Sequence, residues 1–429
     1  MELKYQIEDR PSWKENLVYG LQWLAVTLPA IVIIGKVLGG LNNSIEMEIL
    51  YLQKIFAVTG LALLIQIFGG HRLPLVIGPA TVLLIGILAS QGSSPAAIYS
   101  SILIGGLILT LLAVTGLFAR LQSLFTPRVV AVILLLVAFT MMPTIIQLIC
   151  NGEDAAVGKQ LLFALAFILL MFLGQRYLQG LLKSSLILIS MVAGSIAYFL
   201  VNPSWIFAGS EVSLPAVSFF AKNLTTNIVI EPGLLIAFLL CFLGLSINDL
   251  GSIQAVGSVL KADNMPKRIT RGITATGIAN SIAGFFGVIG PVNFSFNPGI
   301  IASTGCAARR SLVPTGVALL ILAFLPALLF YLSFIPKVVI GCVLLFTLCT
   351  QVAAGLMSSL EALEKSYQPR FDSSLLIALP ILVGIVVAFL PADITATFPP
   401  TLKPILSNGF VMGVVVSLLL EHVIFRSKV

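Results

Sequence analysis

A chain of 429 residues that is 58% hydrophobic and only 10% charged cannot be an ordinary water-soluble protein, a class in which about 25% of residues carry charge. Its mean hydropathy of +1.08 assigns it to lipid, where a bilayer core about 30 Å thick takes about 20 apolar residues per spanning helix. The net charge of +7 does not mark a nucleic-acid partner, because the basic residues stand singly between apolar runs.

The opening, Met1 to Trp13, is polar and mixed in charge, so no cleavable signal is evident and the first span is expected to direct insertion. Dividing the apolar runs at charges, prolines and polar turns predicts an all-α integral membrane protein of fourteen transmembrane segments. They lie near 15–37, 47–69, 74–91, 96–118, 128–149, 159–175, 182–201, 232–256, 269–288, 297–308, 312–334, 338–358, 373–391 and 404–425. With both termini cytoplasmic, eighteen Lys and Arg residues fall inside and five outside, the bias expected of a plasma-membrane protein. Cys150, Cys241, Cys306, Cys342 and Cys349 lie apart, and the histidines are His71 and His422 alone, so no disulfide, metal or cofactor is expected. No nucleophile–base pair marks an enzyme.

The connection 202–231 divides the spans into two sets of seven. The tetrapeptide Val76-Ile77-Gly78-Pro79 recurs as Val288-Ile289-Gly290-Pro291, in the third span of each set. Seven is odd, so two homologous halves must insert with opposite orientation, as inverted repeats do. Glycine and proline in mid-membrane free backbone groups that lipid cannot satisfy. Two readings of these breaks stand: short extended strands followed by half-helices, or proline kinks in continuous helices. In the first, a half-helix opening near Pro298 turns free N–H groups toward a cavity.

Intramembrane polar residues are few. Asp249 is the one carboxylate placed well inside a span, either a proton carrier or a structural hydrogen-bonded group. Asn248 and Ser252 share a helix face, and Asp249 points about 100° away from them. Lys54 is expected to snorkel or to pair with Glu48. Gln22 and Trp23 offer an amide and a flat ring, for a planar ligand or as an interfacial anchor. Asn280 and Ser281 fit helix packing, and Asn293 is counted among the site residues of the second break.

Asn297-Pro298-Gly299-Ile300-Ile301-Ala302-Ser303-Thr304-Gly305 resembles the Asn-x-Gly-x-x-x-x-Thr signature of the nucleobase–ascorbate transporters, especially bacterial uracil and xanthine permeases. Leu21-Gln22, Leu124-Phe125-Thr126-Pro127, Ile282 to Gly287 and Ile335-Pro336 are similar to family positions in the same order. The resemblance implies a core domain (1–126 and 232–334), a gate domain (127–201 and 335–429), and short strands in spans 3 and 10. It further implies a substrate site at Gln22, Trp23, Ala80, Thr81, Asn248, Ser252, Phe296 and Asn297. Trp23 stands where the family usually has histidine, Asn248 where it has glutamate, Ser252 where histidine or aspartate is common, and Phe296 where it has glutamate or glutamine.

The expected function is therefore secondary active uptake of a nucleobase such as uracil or xanthine, coupled to H+ through Asp249, by an elevator-like movement in a homodimer. The alternative is an anion transporter of the sulfate or bicarbonate type with the same fold.

Overall fold

The computed structural model describes residues 3–42, 44–122, 124–150, 157–202, 215–295, 297–364 and 370–425. Its first half runs α1 (Trp13–Gly39), α2 (Ile45–Phe68), β1 (Ile77–Pro79), α3 (Thr81–Ala89), α4 (Pro95–Val114), α5 (Leu117–Gln122), α6 (Pro127–Thr140), α7 (Met142–Cys150), α8 (Val157–Tyr177), α9 (Gly180–Ser184) and α10 (Leu186–Val201). The second runs α11 (Pro232–Leu260), α12 (Met265–Phe286), β2 (Pro291–Asn293), α13 (Asn297–Thr304), α14 (Val313–Ala323), α15 (Pro326–Ser333), α16 (Lys337–Glu364), α17 (Arg370–Ala388), α18 (Ala392–Ala396), α19 (Lys403–Leu406) and α20 (Gly409–Leu419). Among the described residues, seven helices are each long and apolar enough to cross a membrane, and α14 with α15 makes an eighth span if the bent pair counts as one.

Helix starts follow local chemistry. Ser12 and Glu15 form a reciprocal capping box at α1. Ser94-Pro95 and Thr126-Pro127 open α4 and α6, each hydroxyl accepting an N–H two residues into the helix, from Ala97 (3.2 Å) and Val129 (3.3 Å). Asn408 does the same at α20, taking the Val411 N–H at 3.1 Å, and so interrupts the stretch read as one span over 404–425.

The span expected over 312–334 is also broken, bent by 91° between α14 and α15. Pro326 cannot donate to the preceding turn and disfavours helical Leu325. The carbonyls released there are satisfied from outside: Gln53 Nε2 donates to Ala323 at 2.8 Å, and the Ser218 N–H donates to Phe324 at 3.1 Å. Lys36 donates to the carbonyls of Ser333 and Ile335 at the far end of α15. The expected Lys54–Glu48 pair does not form. Six residues apart, the two side chains leave α2 in different directions; Lys54 Nζ donates instead to the Asn223 carbonyl at 3.1 Å, while Glu48 lies 3.9 Å from Lys36.

Packing sorts the helices. α4 lies along α12, α2 along α14 and α1 along α2, while α6 packs on α16 and α17 on α20. The α4–α12 contact is close because its residues are small. A Cβ on Gly106 would come within 2.6 Å of the Ser281 backbone nitrogen, so only glycine allows the approach. The N-terminal segment runs beside residues 305–309: Lys4 N–H donates to Gly305 (2.8 Å), Ala307 N–H to Tyr5 (3.0 Å) and Arg309 N–H to Ile7 (3.1 Å). Arg309 also grips the Glu8 carboxylate through Nε and Nη2 and donates to the Ile67 carbonyl at 2.5 Å. The Arg309 bond holds the Glu8 carboxyl below the usual range.

Gly106→Ala should therefore force α4 from α12 and destabilise the protein by about 1–3 kcal/mol; an unchanged thermal midpoint in detergent would refute the close contact. Because the folded-state pKa of Glu8 is depressed, its contribution is present above the ordinary glutamate range and is lost as pH falls through the lowered value. Acidification should thus expose residues 3–9 to hydrogen exchange. Glu8→Gln should show that exposure already at neutral pH, and equal protection in both proteins would refute the tie.

Candidate functional site

The two breaks meet as strands. β1 and β2 pair antiparallel with Ile77 opposite Asn293, Gly78 opposite Val292 and Pro79 opposite Pro291, and all six residues are buried. The Ala80 N–H donates to Gly290 at 2.9 Å and the Phe294 N–H to Val76 at 3.1 Å, lengthening the ladder at both ends. Pro79 and Pro291 hold the same place in the two Val-Ile-Gly-Pro repeats, so exchanging the halves maps the ladder on itself about that pair. Each strand leads into a half-helix, α3 or α13. The extended-strand reading of the sequence is the one the structure takes.

Side chains complete what so short a ladder leaves open. The Ile289 N–H donates to Tyr51 Oη at 3.0 Å, and Asn280 Nδ2 donates to the Pro291 carbonyl at 2.9 Å. A Cβ on Gly290 would collide with the Asn280 amide, and one on Gly78 with the Phe294 ring, so each repeat has its own need for glycine. Asn297 is fully buried, and its amide imitates a strand: Oδ1 accepts the Val76 N–H at 2.9 Å, and Nδ2 donates to the Val76 carbonyl at 3.4 Å and to the Phe294 carbonyl.

Asn293 is the hub. Its N–H and Nδ2 donate to Asp249 Oδ1 at 3.0 and 2.6 Å, and its carbonyl accepts from Asn248 Nδ2 at 3.3 Å and Ser252 Oγ at 3.1 Å. Its Oδ1 lies 3.1 Å from His71 Nε2. Since the Leu73 N–H donates to His71 Nδ1 at 3.0 Å, the imidazole proton sits on Nε2 and is given to Asn293. Asp249 also accepts from Thr276 Oγ1 at 2.7 Å, and that hydroxyl accepts from Gln66 Nε2 at 2.9 Å. Asp249, His71 and Asn293 are each fully buried, so this is a closed polar network in which no member lacks a partner.

Several expectations change accordingly. Asn293, read from the sequence as a site residue, has every polar group engaged within the protein. Asp249 does not stand apart from Asn248 and Ser252; all three reach Asn293, because β2 lies along α11. Trp23 is 1% exposed and gives its indole N–H to Ser311 Oγ at 3.1 Å, so its polar edge is not free for a ligand. Phe296 lies outside the described residues. In the sequence His71 stands out only as one of two histidines with no metal partner, and Tyr51, Thr276 and Gln66 are not singled out; the one signal is a histidine directly after Gly69-Gly70, at the approach to the first break.

What remains available forms a smaller set around the ladder, where α1, α3, α11 and α13 approach the strands. Gln22 Oε1 is buried with no hydrogen-bond partner among the described residues. Asn248 is half-buried, and among the described residues its side-chain oxygen accepts no hydrogen bond. Ala80, at the N-cap of α3, has no side-chain oxygen to give the first turn, which opens at half-buried Thr81. Gly299, in the first turn of α13, faces open space. Amide groups and an uncapped helix start such as that of α3 can grip the carbonyl and N–H edge of a neutral ring, or an anion. Among the described residues no cluster of three or more His, Cys, Asp or Glu could hold a metal.

Comparison with known proteins agrees with this architecture. The transmembrane domain of the cyanobacterial bicarbonate transporter BicA superposes with a TM-score of 0.58 at 15% identity, over 89% of this chain and 98% of that one. Nucleobase transporter PlUacP of Paenibacillus larvae is 26% identical over 94% of this chain and 93% of its own length. Xanthine permease of Bacillus subtilis is 25% identical over 94% and 92%. The Permease family (Xan_ur_permease) matches residues 14–393, and the chain belongs to that family: it is a multi-pass membrane permease, not an enzyme.

Proposed function

We propose that this permease carries a nucleobase or similar planar heterocycle across the plasma membrane, with Gln22, Asn248 and the backbone at Ala80 and Thr81 presenting hydrogen-bonding groups to the edge of the base. The observation that carries the reading is the buried Gln22 amide oxygen, unpartnered among the described residues, on the helix α1 that packs against β1; relatives named as nucleobase and xanthine transporters support it. Asn293, Asn297 and Ser252 act as positioning residues that fix the ladder. The two helix groups, α1–α4 with α11–α15 and α6–α10 with α16–α20, correspond to a core and a gate built from fourteen spans in inverted repeats. Movement of one against the other carries the site across, in a homodimer joined by gate helices, with both termini in the cytoplasm.

Asp249 is the proton-coupling group in this scheme. Three donors face its carboxylate; protonation removes the negative charge they face and so weakens the two bonds from Asn293. Protonation and strand position are thereby linked. The second reading, an anion carrier, rests on the uncapped start of α3 and on the fold shared with a bicarbonate transporter.

A thermal-shift screen against uracil, xanthine, guanine, adenine, urate, bicarbonate and sulfate separates the two readings. Stabilisation by a base is the expected result, and a response to anions alone would replace the nucleobase reading. Gln22→Ala should weaken binding of the responding base by roughly ten- to hundredfold, the loss of one or two buried hydrogen bonds, without shifting the midpoint of the free protein; wild-type affinity would remove Gln22 from the site. Asp249→Asn turns an amide N–H toward a donor and should abolish the pH dependence of uptake. Persistence of that dependence would rule out Asp249 as the coupling group.

A further inference from the structure

A second polar site lies at the end of the protein that carries the N-terminal segment, with His71, whose Nε2 reaches Asn293 of the ladder, on its wall. The turn after α2 and the start of α12 enclose a cleft of about 190 Å³ lined by Glu8, His71, Arg72, Lys267, Arg268 and Arg271 among others. Four of these are permanent cations, and Glu8, the one carboxylate on the wall, is already gripped by Arg309.

The cations divide into two pairs. Arg268 and Arg72 build the floor. Arg268 donates to the carbonyls of Asp263 (2.9 Å), His71 (3.0 Å) and Arg72 (2.9 Å), and Arg72 donates to Phe68 at 2.9 Å. Arg72 holds the left-handed conformation, φ 57°, in the turn whose carbonyl faces Arg268. Lys267 and Arg271, four apart on one face of α12, are exposed, and neither has a hydrogen bond or ion pair among the described residues. α12 opens on Asn264, also on the cleft wall, whose side chain makes no cap bond, so the positive end of the helix faces the same space. Like charges gathered in a partly enclosed space repel, and the two carboxylates that act on Arg268, Glu8 and Asp263, balance only part of the four cations on the wall.

We propose that this cleft is a binding site for a phosphate group, whether on a soluble anion or on a lipid head. The rigid Arg268 and Arg72 set the positive floor, and the unengaged Lys267 and Arg271 close on the phosphate oxygens. The anionic oxygens of a phosphate, spread around one phosphorus, suit paired guanidinium and ammonium donors better than a single carboxylate does.

The test uses the full-length protein and a Lys267→Gln/Arg271→Gln variant, which leaves both floor arginines and all their backbone bonds in place. Purified protein in neutral detergent is titrated with inorganic pyrophosphate; in parallel, phosphatidylglycerol and phosphatidylcholine nanodiscs are compared for lipid retained on re-extraction. Saturable, salt-sensitive binding of either phosphate probe that weakens by about tenfold or more in the variant, but not in a Lys159→Gln control, supports the site. A response to pyrophosphate alone identifies a soluble anion, and a response to phosphatidylglycerol alone identifies a lipid head. No binding of either probe, equal binding by wild type and variant, or an equal loss in the control overturns the proposal. Base binding by the variant confirms that its transport site is folded, so failure here is distinct from failure of the nucleobase reading.

Discussion

A backbone that leaves its helix inside a membrane must find hydrogen-bond partners in the protein, since lipid offers none and each unmet group costs several kcal/mol. Both halves of this chain break at Val-Ile-Gly-Pro, and each break is the other's partner. The ladder from Val76–Phe294 to Ala80–Gly290 exists only when the two halves are folded together. The crossed strands, the half-helices and the opposed orientation of the halves all follow from that requirement.

Proline sets the length of the ladder. Pro79 and Pro291 lack N–H groups, so the pair on the local two-fold cannot exchange main-chain bonds, and the strands stay short. Side chains make up the shortfall: Asn297 clasps Val76, Asn280 takes Pro291, Tyr51 takes Ile289, and Asp249 takes Asn293. Each removes one backbone group from the unsatisfied total. A polar residue in such a span therefore has two employers, the ligand and the broken backbone. Here the backbone engages most of them; Gln22 Oε1 and Asn280 Oδ1 are among the buried atoms left unpartnered among the described residues, and of these two only Gln22 has no bond to the ladder.

This divided demand explains what could be read from the sequence. The positions of the breaks were legible, because a glycine–proline pair in an apolar run has few other meanings, and its repetition indicated that the breaks correspond. The partners were not. Asp249 looked separate from Asn248 and Ser252 on a helical wheel, yet one asparagine of a neighbouring strand gathers all three. His71 reaches that same asparagine from 222 residues away, a distance no local pattern encodes. The 91° bend between α14 and α15 was hidden for a related reason: proline announces a kink, but its size depends on whether Gln53 and Ser218 are there to take up the freed carbonyls.

Asn248 shows how a change of one side chain alters the demand. The resemblance puts a glutamate at this position, and an ionised glutamate has no proton to donate to the Asn293 carbonyl; it could make that bond only in its protonated form. The asparagine makes it at every pH. With Asn248 in place, the end of β2 is held on its carbonyl side by a group that does not titrate, while its N–H side rests on Asp249, which can. Whatever pH sensitivity the ladder has must therefore enter from the Asp249 side, through the network that includes Thr276, Gln66 and His71.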